Sequence, residues 1–329
     1  MQTIAILWGK WWFGARIARQ IAQEKKEIHV ICTWSGQENL VAVPKADIII
    51  IAVPIDQTEK TIKEIWPKTK ANAVIIDVTS LKAQPVQRMK KYLPKTCTII
   101  PTHPMFGPSL SVIAGQVIVL TPDTKTIKTP IYQQMKKILE NKWAKIIETT
   151  PQHHDKIMAT IQWLTHLTLF VMGETMRATK VDLALSEKFI SPIYKLMTSS
   201  VARYISQNPW LYADIQINNP YVPQVHKSFM RVAQNFTQDL EKKKFIHTLQ
   251  KTKKFFGSHA KQGQEYTDKV LYLLGKQNEE LQNKKGKHIV CENIYTKTQA
   301  SWVLSWYTNT TITLNTNKKL ELNQRIILH

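Results

Sequence analysis

The segment Thr102–Pro108 reads THPMFGP and puts His103 at the end of an apolar run, Thr96–Thr102. Short apolar runs alternating with amphipathic stretches read as strands of a parallel α/β sheet, whose ligands bind outside the carboxyl ends of the strands. An imidazole there is neutral at physiological pH and able to accept a proton from a bound molecule. The plainer reading is a loop histidine satisfied by backbone groups, and taken alone the two weigh equally. A second segment carries phosphate chemistry. ILWGKWWFGARIARQIA joins the first strand to the first helix, and Gly9 and Gly14 have the spacing of the first and third glycines of a Gly-x-Gly-x-x-Gly turn. Such a turn needs bare backbone, because peptide N–H groups must approach a pyrophosphate at the helix N-terminus. Its middle position holds Trp11, with Trp8 and Trp12 alongside, and an indole there fills the space that phosphates need.

Tryptophan and glycine each occur 10 times in 329 residues, although glycine supplies about 7% of an average chain. Writing Gly for Trp at 8, 11 and 12 turns WGKWWFG into GGKGGFG. Trp34 directly follows the second strand, Trp143 stands between a helix and a strand, and glycine suits both places. We read several of these tryptophans as a codon that the cell reads as glycine; the competing reading is a degenerate homologue that has lost its cofactor. Gly9, Trp11, Trp12 and Gly14 are the expected phosphate-loop positions, with Val53 and Pro54, at the end of the third strand, as further cofactor contacts. The second strand ends HVICTWSG, with no Asp or Glu to hold the ribose hydroxyls of NAD. Thr33 and Ser35 stand there instead, which tilts the expectation from NAD towards NADP.

The elements that must position these residues follow from patterning. Strands are expected at Thr3–Trp8, Ile28–Thr33, Asp47–Val53, Ala73–Val78, Thr96–Thr102, Gln116–Thr121 and Ala144–Thr149. Helices are expected between them at Gly14–Glu24, Thr58–Trp66, Lys82–Tyr92 and Lys128–Asn141. ADIIIIAVP is apolar throughout, as a strand buried on both faces should be. From Pro151 long helical patterns take over: His153–Thr179, Leu183–Ser206 and Pro223 to about Asn283. Short β-type segments follow to His329. The expected fold is α/β: a Rossmann-like doubly wound parallel sheet over 1–150, an all-helical domain over 151–284 and a small β-type extension over 285–329.

Bulk properties exclude some classes. The net charge is +21, but 38 of the 45 basic residues are lysines, spread along the whole chain. Nucleic-acid readers cluster their charge and lean on arginine, so a biased coding sequence explains the excess better than a polyanion partner. No apolar run approaches the roughly 18 residues a membrane span needs. The N-terminus has no signal-peptide pattern, and Cys32, Cys97 and Cys291 stand singly, which fits the cytoplasm and gives neither a metal site nor a disulfide framework.

Taken together, DVTSLKAQPV, IIPTHPMFGPS, HDKIMATIQWLTH, SPIYKLM and RYISQNPWLYADIQ resemble prephenate dehydrogenases, particularly the archaeal-type enzymes, over about residues 1–285. The glycine loop departs from that family, as does Trp163, which falls where related sequences carry glycine. The resemblance implies NAD(P)-dependent oxidative decarboxylation of prephenate, or of arogenate, with the helical domain building a homodimer. It implies that His103 is the catalytic histidine, accepting a hydrogen bond or proton from the ring hydroxyl, and that Ser80 orients that hydroxyl. Ser80 also reads as a helix N-cap before Leu81, and both roles are compatible. Arg203 matches an arginine that grips a substrate carboxylate, where a planar guanidinium offers two parallel hydrogen bonds; the alternative is a surface ion pair. His166 is implied to line the substrate site, and Asp214 and Gln216 to support it. His154 lies 12 residues before His166, about 18 Å along a straight helix, and reads as structural. The rivals are another dehydrogenase of the 6-phosphogluconate-dehydrogenase-like superfamily, and a cofactor-less binding protein if the loop tryptophans are real.

Overall fold

A computed structural model describes residues 2–10, 12–24, 27–107, 113–238, 241–283, 288–293, 299–307, 311–314, 319–321 and 326–328. The chain divides into two compact units, Met1–Phe229 and Met230–His329. The boundaries expected near 150 and 284 follow secondary-structure texture; compactness divides the chain elsewhere.

In the first unit seven strands form one sheet: β1 (Gln2–Leu7), β2 (Ile28–Cys32), β3 (Ile48–Ile51), β4 (Val74–Asp77), β5 (Thr98–Pro104), β6 (Val117–Leu120) and β7 (Lys145–Glu148), in the order β2-β1-β3-β4-β5-β6-β7. Helices α1 (Trp12–Glu24), α2 (Gly36–Ala42), α3 (Ile55–Ile65), α4 (Ala83–Tyr92), α5 (Thr124–Ile127) and α6 (Pro130–Asn141) connect them. β3 is four isoleucines, three of them buried. A central strand covered on both faces loses nothing by being apolar at every position, and β-branched side chains fit its pleat.

The sheet is mostly parallel rather than wholly so: β6 pairs antiparallel to β5, setting His103 opposite Val119, while β7 runs parallel to β6. Parallel neighbours need a crossover, usually a helix. The link after Pro104 begins MFGPS and carries no helix among its described residues, so the chain returns antiparallel. This pairing holds the backbone of His103 in the sheet.

The expected helical segment begins with α7 (Pro151–Met158), a π-helical stretch (Ala159–Trp163) and α8 (Leu164–Ala178). α9 (Leu183–Ser186), α10 (Pro192–Ile205), α11 (Pro209–Ile217) and α12 (Val222–Gln238) follow. Thr150, Ser191 and Asn208 cap α7, α10 and α11, each with proline at the next position. That pair stops whatever precedes and starts a helix, because the residue before proline is pushed out of the helical region while proline itself suits the first turn. It breaks the pattern expected to run from Leu183 to Ser206 as one helix.

The helix expected from Pro223 to about Asn283 is likewise interrupted. α13 (Lys242–Phe256) ends at Gly257, whose φ of 51° is left-handed, and α14 (Ser258–Asn283) follows. Strands β8 (His288–Asn293), β9 (Gln299–Tyr307), β10 (Thr311–Leu314), β11 (Lys319–Glu321) and β12 (Ile326–Leu328) form an antiparallel sheet in the order β11-β10-β9-β8-β12, as the β-type reading of the C-terminus expected.

Candidate active site

The turn after β1 is tight. Gly9 N donates to Ile6 O at 2.9 Å, and a Cβ on Gly9 would lie 2.6 Å from that same oxygen. A Cβ on Gly14 would lie 2.7 Å from Trp8 O, so α1 starts directly over the loop. Bare backbone is thus obligatory at both glycines, as in a turn that presents N–H groups to phosphates at a helix N-terminus. Trp8 has φ 61°, a left-handed conformation that costs a non-glycine residue about 1–2 kcal/mol. Trp11 and the side chain of Trp12 lie outside the described residues.

At the end of β2 the structure turns Thr33 away from where a 2′-phosphate was expected, while Ser35 stays exposed. Thr33 is buried; its hydroxyl donates to Asn39 Oδ1 at 2.5 Å and accepts from Trp8 N at 3.1 Å, which braces the phosphate turn. Ser35 caps α2 by accepting from Glu38 N. Glu38, which the sequence reading passed over because it lies beyond the strand end, accepts from Trp34 N at 2.8 Å. Its side chain and those of Gln37 and Lys45 line a cavity of about 360 Å³ together with Cys32 and Thr33.

Two further cavities share a wall. One, of about 470 Å³, is lined from the sheet by Trp8, Val53, Pro54, Thr79 and Ser80, and by Asp214 of α11. The other, of about 340 Å³, is lined by Gln162, His166, Arg203, Tyr204 and Tyr212 from the helices. Ser80, His103, Pro104, Phe106 and Gly107 line both. The residues expected at the site are therefore brought together: His103 and Ser80 at the shared wall, Arg203 and His166 on one side, Val53 and Pro54 on the other. Arg203 is half-buried near the C-terminus of α10, and a Cβ on Gly107 would lie 3.8 Å from its Nη2.

Ser80 does not cap α4. That helix has no side-chain cap of its own; Asp155 supplies one, accepting from Lys82 N at 2.9 Å through Oδ1 and from Ala83 N at 2.8 Å through Oδ2. Beneath the site the Lys82 ammonium is fully buried, in an ion pair with Asp77, and donates to Thr102 O at 2.7 Å. Thr102 Oγ1 donates to Asp77 O at 2.7 Å, which ties the ends of β4 and β5 together one residue before His103.

His103 is 3% exposed. Burial drives its pKa well below the usual histidine value, and His154 and the Lys82 cation push the same way. His154, read from sequence as structural, touches it: His103 Nδ1 and His154 Nε2 are 2.9 Å apart, and His154 Nδ1 lies 2.7 Å from Asp155 Oδ1. Burial lowers the pKa of His154, with Asp155 opposing. His166 sits among Tyr204 and Tyr212, with ring centroids at 4.8 and 4.9 Å, and burial lowers its pKa to about 4. Its Nδ1 and Gln162 Oε1 are buried without a hydrogen-bond partner. Unpaired buried polar atoms are costly, so a cavity lined by two of them suits a ligand that bonds to both. The site can thus hold a small polar molecule, accept a proton from it on a neutral imidazole and grip an anionic group with a guanidinium. Among the described residues no cluster of side chains fits a metal ion.

Residues 12–148 match the prephenate dehydrogenase nucleotide-binding domain, and residues 150–254 match the prephenate dehydrogenase dimerization domain. The chain is 37% identical over 336 residues to a probable arogenate/prephenate dehydrogenase of Methanocaldococcus jannaschii, covering 96% of this chain and 75% of that one. It is 29% identical over 267 residues to the T-protein of Haemophilus influenzae, covering 80% and 69%. A prephenate dehydrogenase from A. aeolicus, crystallised with hydroxyphenyl propionate and NAD+, has the same fold: TM-score 0.58 at 18% identity, over 78% of this chain and 99% of that one. The chain belongs to the prephenate dehydrogenase family.

Proposed function

We propose that the protein oxidises and decarboxylates prephenate to 4-hydroxyphenylpyruvate with NAD or NADP, serving tyrosine biosynthesis as a cytoplasmic homodimer. One observation carries this reading: His103 and Ser80 stand in the wall common to a cavity edged by the phosphate turn and a cavity edged by Arg203 and His166. Val53, Pro54 and Thr79 would hold the nicotinamide and the turn at Gly9 and Gly14 its phosphates, and the cofactor when bound would supply a hydride acceptor. Arg203 grips a carboxylate of the dianion, and His166 with Gln162 bonds the remaining polar groups. Ser80 orients the ring hydroxyl. His103 takes the hydroxyl proton as the carbon–oxygen double bond forms. Loss of carbon dioxide leaves the electron pair of the broken carbon–carbon bond in the ring, which becomes aromatic, and the same imidazole returns the proton to the phenolate oxygen.

Dimerisation is supported by the dimerization-domain match and by large apolar side chains left exposed on the helices, such as Leu183, Phe189, Ile205 and Ile217. The test is turnover of prephenate with either cofactor, followed by absorbance of the reduced nicotinamide, with arogenate as the second substrate. A positioned base contributes about 10²–10⁴-fold, so His103→Asn should lower kcat by that factor with KM largely intact. Absence of turnover with both substrates, or an unchanged kcat in the variant, would sink the reading.

A further inference from the structure

Behind His103 runs a line of contacts that the reaction as described does not use. Asp155 is buried, and both its oxygens accept backbone N–H groups at the N-terminus of α4. A carboxylate that takes N–H groups on both oxygens in this way can only accept from a further partner. His154 Nδ1, 2.7 Å from Asp155 Oδ1, must then carry the hydrogen. A neutral His154 has its lone pair on Nε2, so it can only accept from His103 Nδ1 at 2.9 Å. His103 therefore carries its hydrogen on Nδ1, and Nε2 is its one basic nitrogen. Three residues from two elements fix one tautomer, in the way a buried aspartate fixes the catalytic histidine of a serine protease.

We propose that His154 and Asp155 are positioning residues that set the tautomer of His103 and support its protonated form during turnover. When His103 Nε2 takes the hydroxyl proton, the new imidazolium donates to His154, and the carboxylate behind His154 balances the charge. The proton returns to the phenolate oxygen, so the relay ends as it began. Among the described residues the other charged or titratable groups around the pair are Lys82, paired with Asp77 beneath it, and His166, Arg203, Tyr204 and Tyr212 across the cavity. Asp155 is the carboxylate in direct contact with the relay, at 2.7 Å from His154 Nδ1. A histidine that merely packs α7 against the sheet would need neither a defined tautomer nor a carboxylate at its back.

The proposal rests on the dehydrogenase reading for its catalytic half, but its tautomer half is testable in the free protein. In 15N-histidine-labelled protein, long-range 1H–15N correlations should show His103 and His154 both protonated at Nδ1. In His154→Leu, which offers no acceptor, His103 should change to the Nε2–H form and kcat should fall about 100-fold with little change in KM. His154→Gln keeps an acceptor for His103 Nδ1 but cuts the link to Asp155. It should restore the Nδ1–H pattern and most of kcat, while the acid limb of the kcat/KM profile moves to lower pH because the imidazolium has lost its counter-charge. A wild-type His103 protonated at Nε2, or an unshifted acid limb in His154→Gln, overturns the relay. If His154→Leu fails to fold, the wild-type spectrum and the glutamine variant still decide. Failure of prephenate turnover in the wild type would instead refute the functional reading and leave the tautomer result standing.

Discussion

At the scale of the residue, the anion grip and the strained tryptophans make the sharpest predictions. A lysine at 203 keeps the charge of Arg203 but loses the planar fork that holds a carboxylate through two hydrogen bonds. Arg203→Lys should therefore raise KM for prephenate by about tenfold or more, with a smaller effect on kcat; an unchanged KM would remove Arg203 from the substrate site. Trp143 occupies the left-handed position just after α6: its N–H bonds Glu140 O and the Ala144 N–H bonds Leu139 O, the pairing that usually ends on glycine. Its side chain is 80% exposed, so little packing is lost with it. Trp143→Gly should stabilise the fold by about 0.5–1 kcal/mol, the left-handed penalty less the extra chain entropy of glycine, read as a higher midpoint in a thermal melt. Intact-mass analysis of natively expressed protein tests the codon reading directly, and Trp8 and Trp143 are the positions where backbone conformation favours it. Trp163 gives no such support: it is 4% exposed and packs with Ala159 and Val222 in the π-helical stretch.

At the scale of the element, the site depends on how closely α8 and α10 approach. Gly173 of α8 faces Val201 of α10, and a Cβ there would lie 2.7 Å from Val201 Cγ1. Alanine is the better helix former by about 1 kcal/mol, yet overpacking costs about 1–3 kcal/mol, so Gly173→Ala alone should destabilise by on the order of 1 kcal/mol. Adding Val201→Ala should relieve the clash, and a double-mutant cycle in urea should return a favourable coupling. Additive effects would mean the helices can part without cost. Since Arg203 lies two residues beyond Val201, the single variant should also raise KM. A π-helical stretch, Ala159–Trp163, separates His154 on α7 from His166 on α8. One wide turn changes the heading of α8 relative to α7, a known feature of functional sites, so α7 can set His154 behind His103 while α8 sets His166 in the cavity.

At the scale of the whole molecule, the buried histidines make stability depend on pH. His103, His154 and His166 all have folded-state pKa values below the ordinary 6.5, with burial the first cause in each. Between those values and 6.5 the unfolded chain binds more protons than the folded one, so stability rises with pH there. It is complete above about 6.5 and is lost as pH falls towards the folded values. For His166, lowered to about 4, the full loss is on the order of 3 kcal/mol. Urea midpoints should be flat from pH 7 to 8 and fall from pH 6.5 to 5, above the carboxylate range. A flat midpoint down to pH 5 would mean that these rings are hydrated.

The amino-acid order alone fixed what local rules govern. Isoleucine-rich β3 could only be a covered strand, and the segments around His103, Ser80, His166 and Arg203 identified the family. Period, capping and turn chemistry act over a few residues, and a few residues are enough to read them. What the sequence left open was decided by contacts between distant segments. The antiparallel β6, the cap of α4 by a carboxylate 73 residues away, the inward turn of the Thr33 hydroxyl and the meeting of His154 with His103 are of this kind. Each depends on which faces meet when elements pack, and burial, rather than sequence spacing, then lowered the pKa values of His103, His154 and His166.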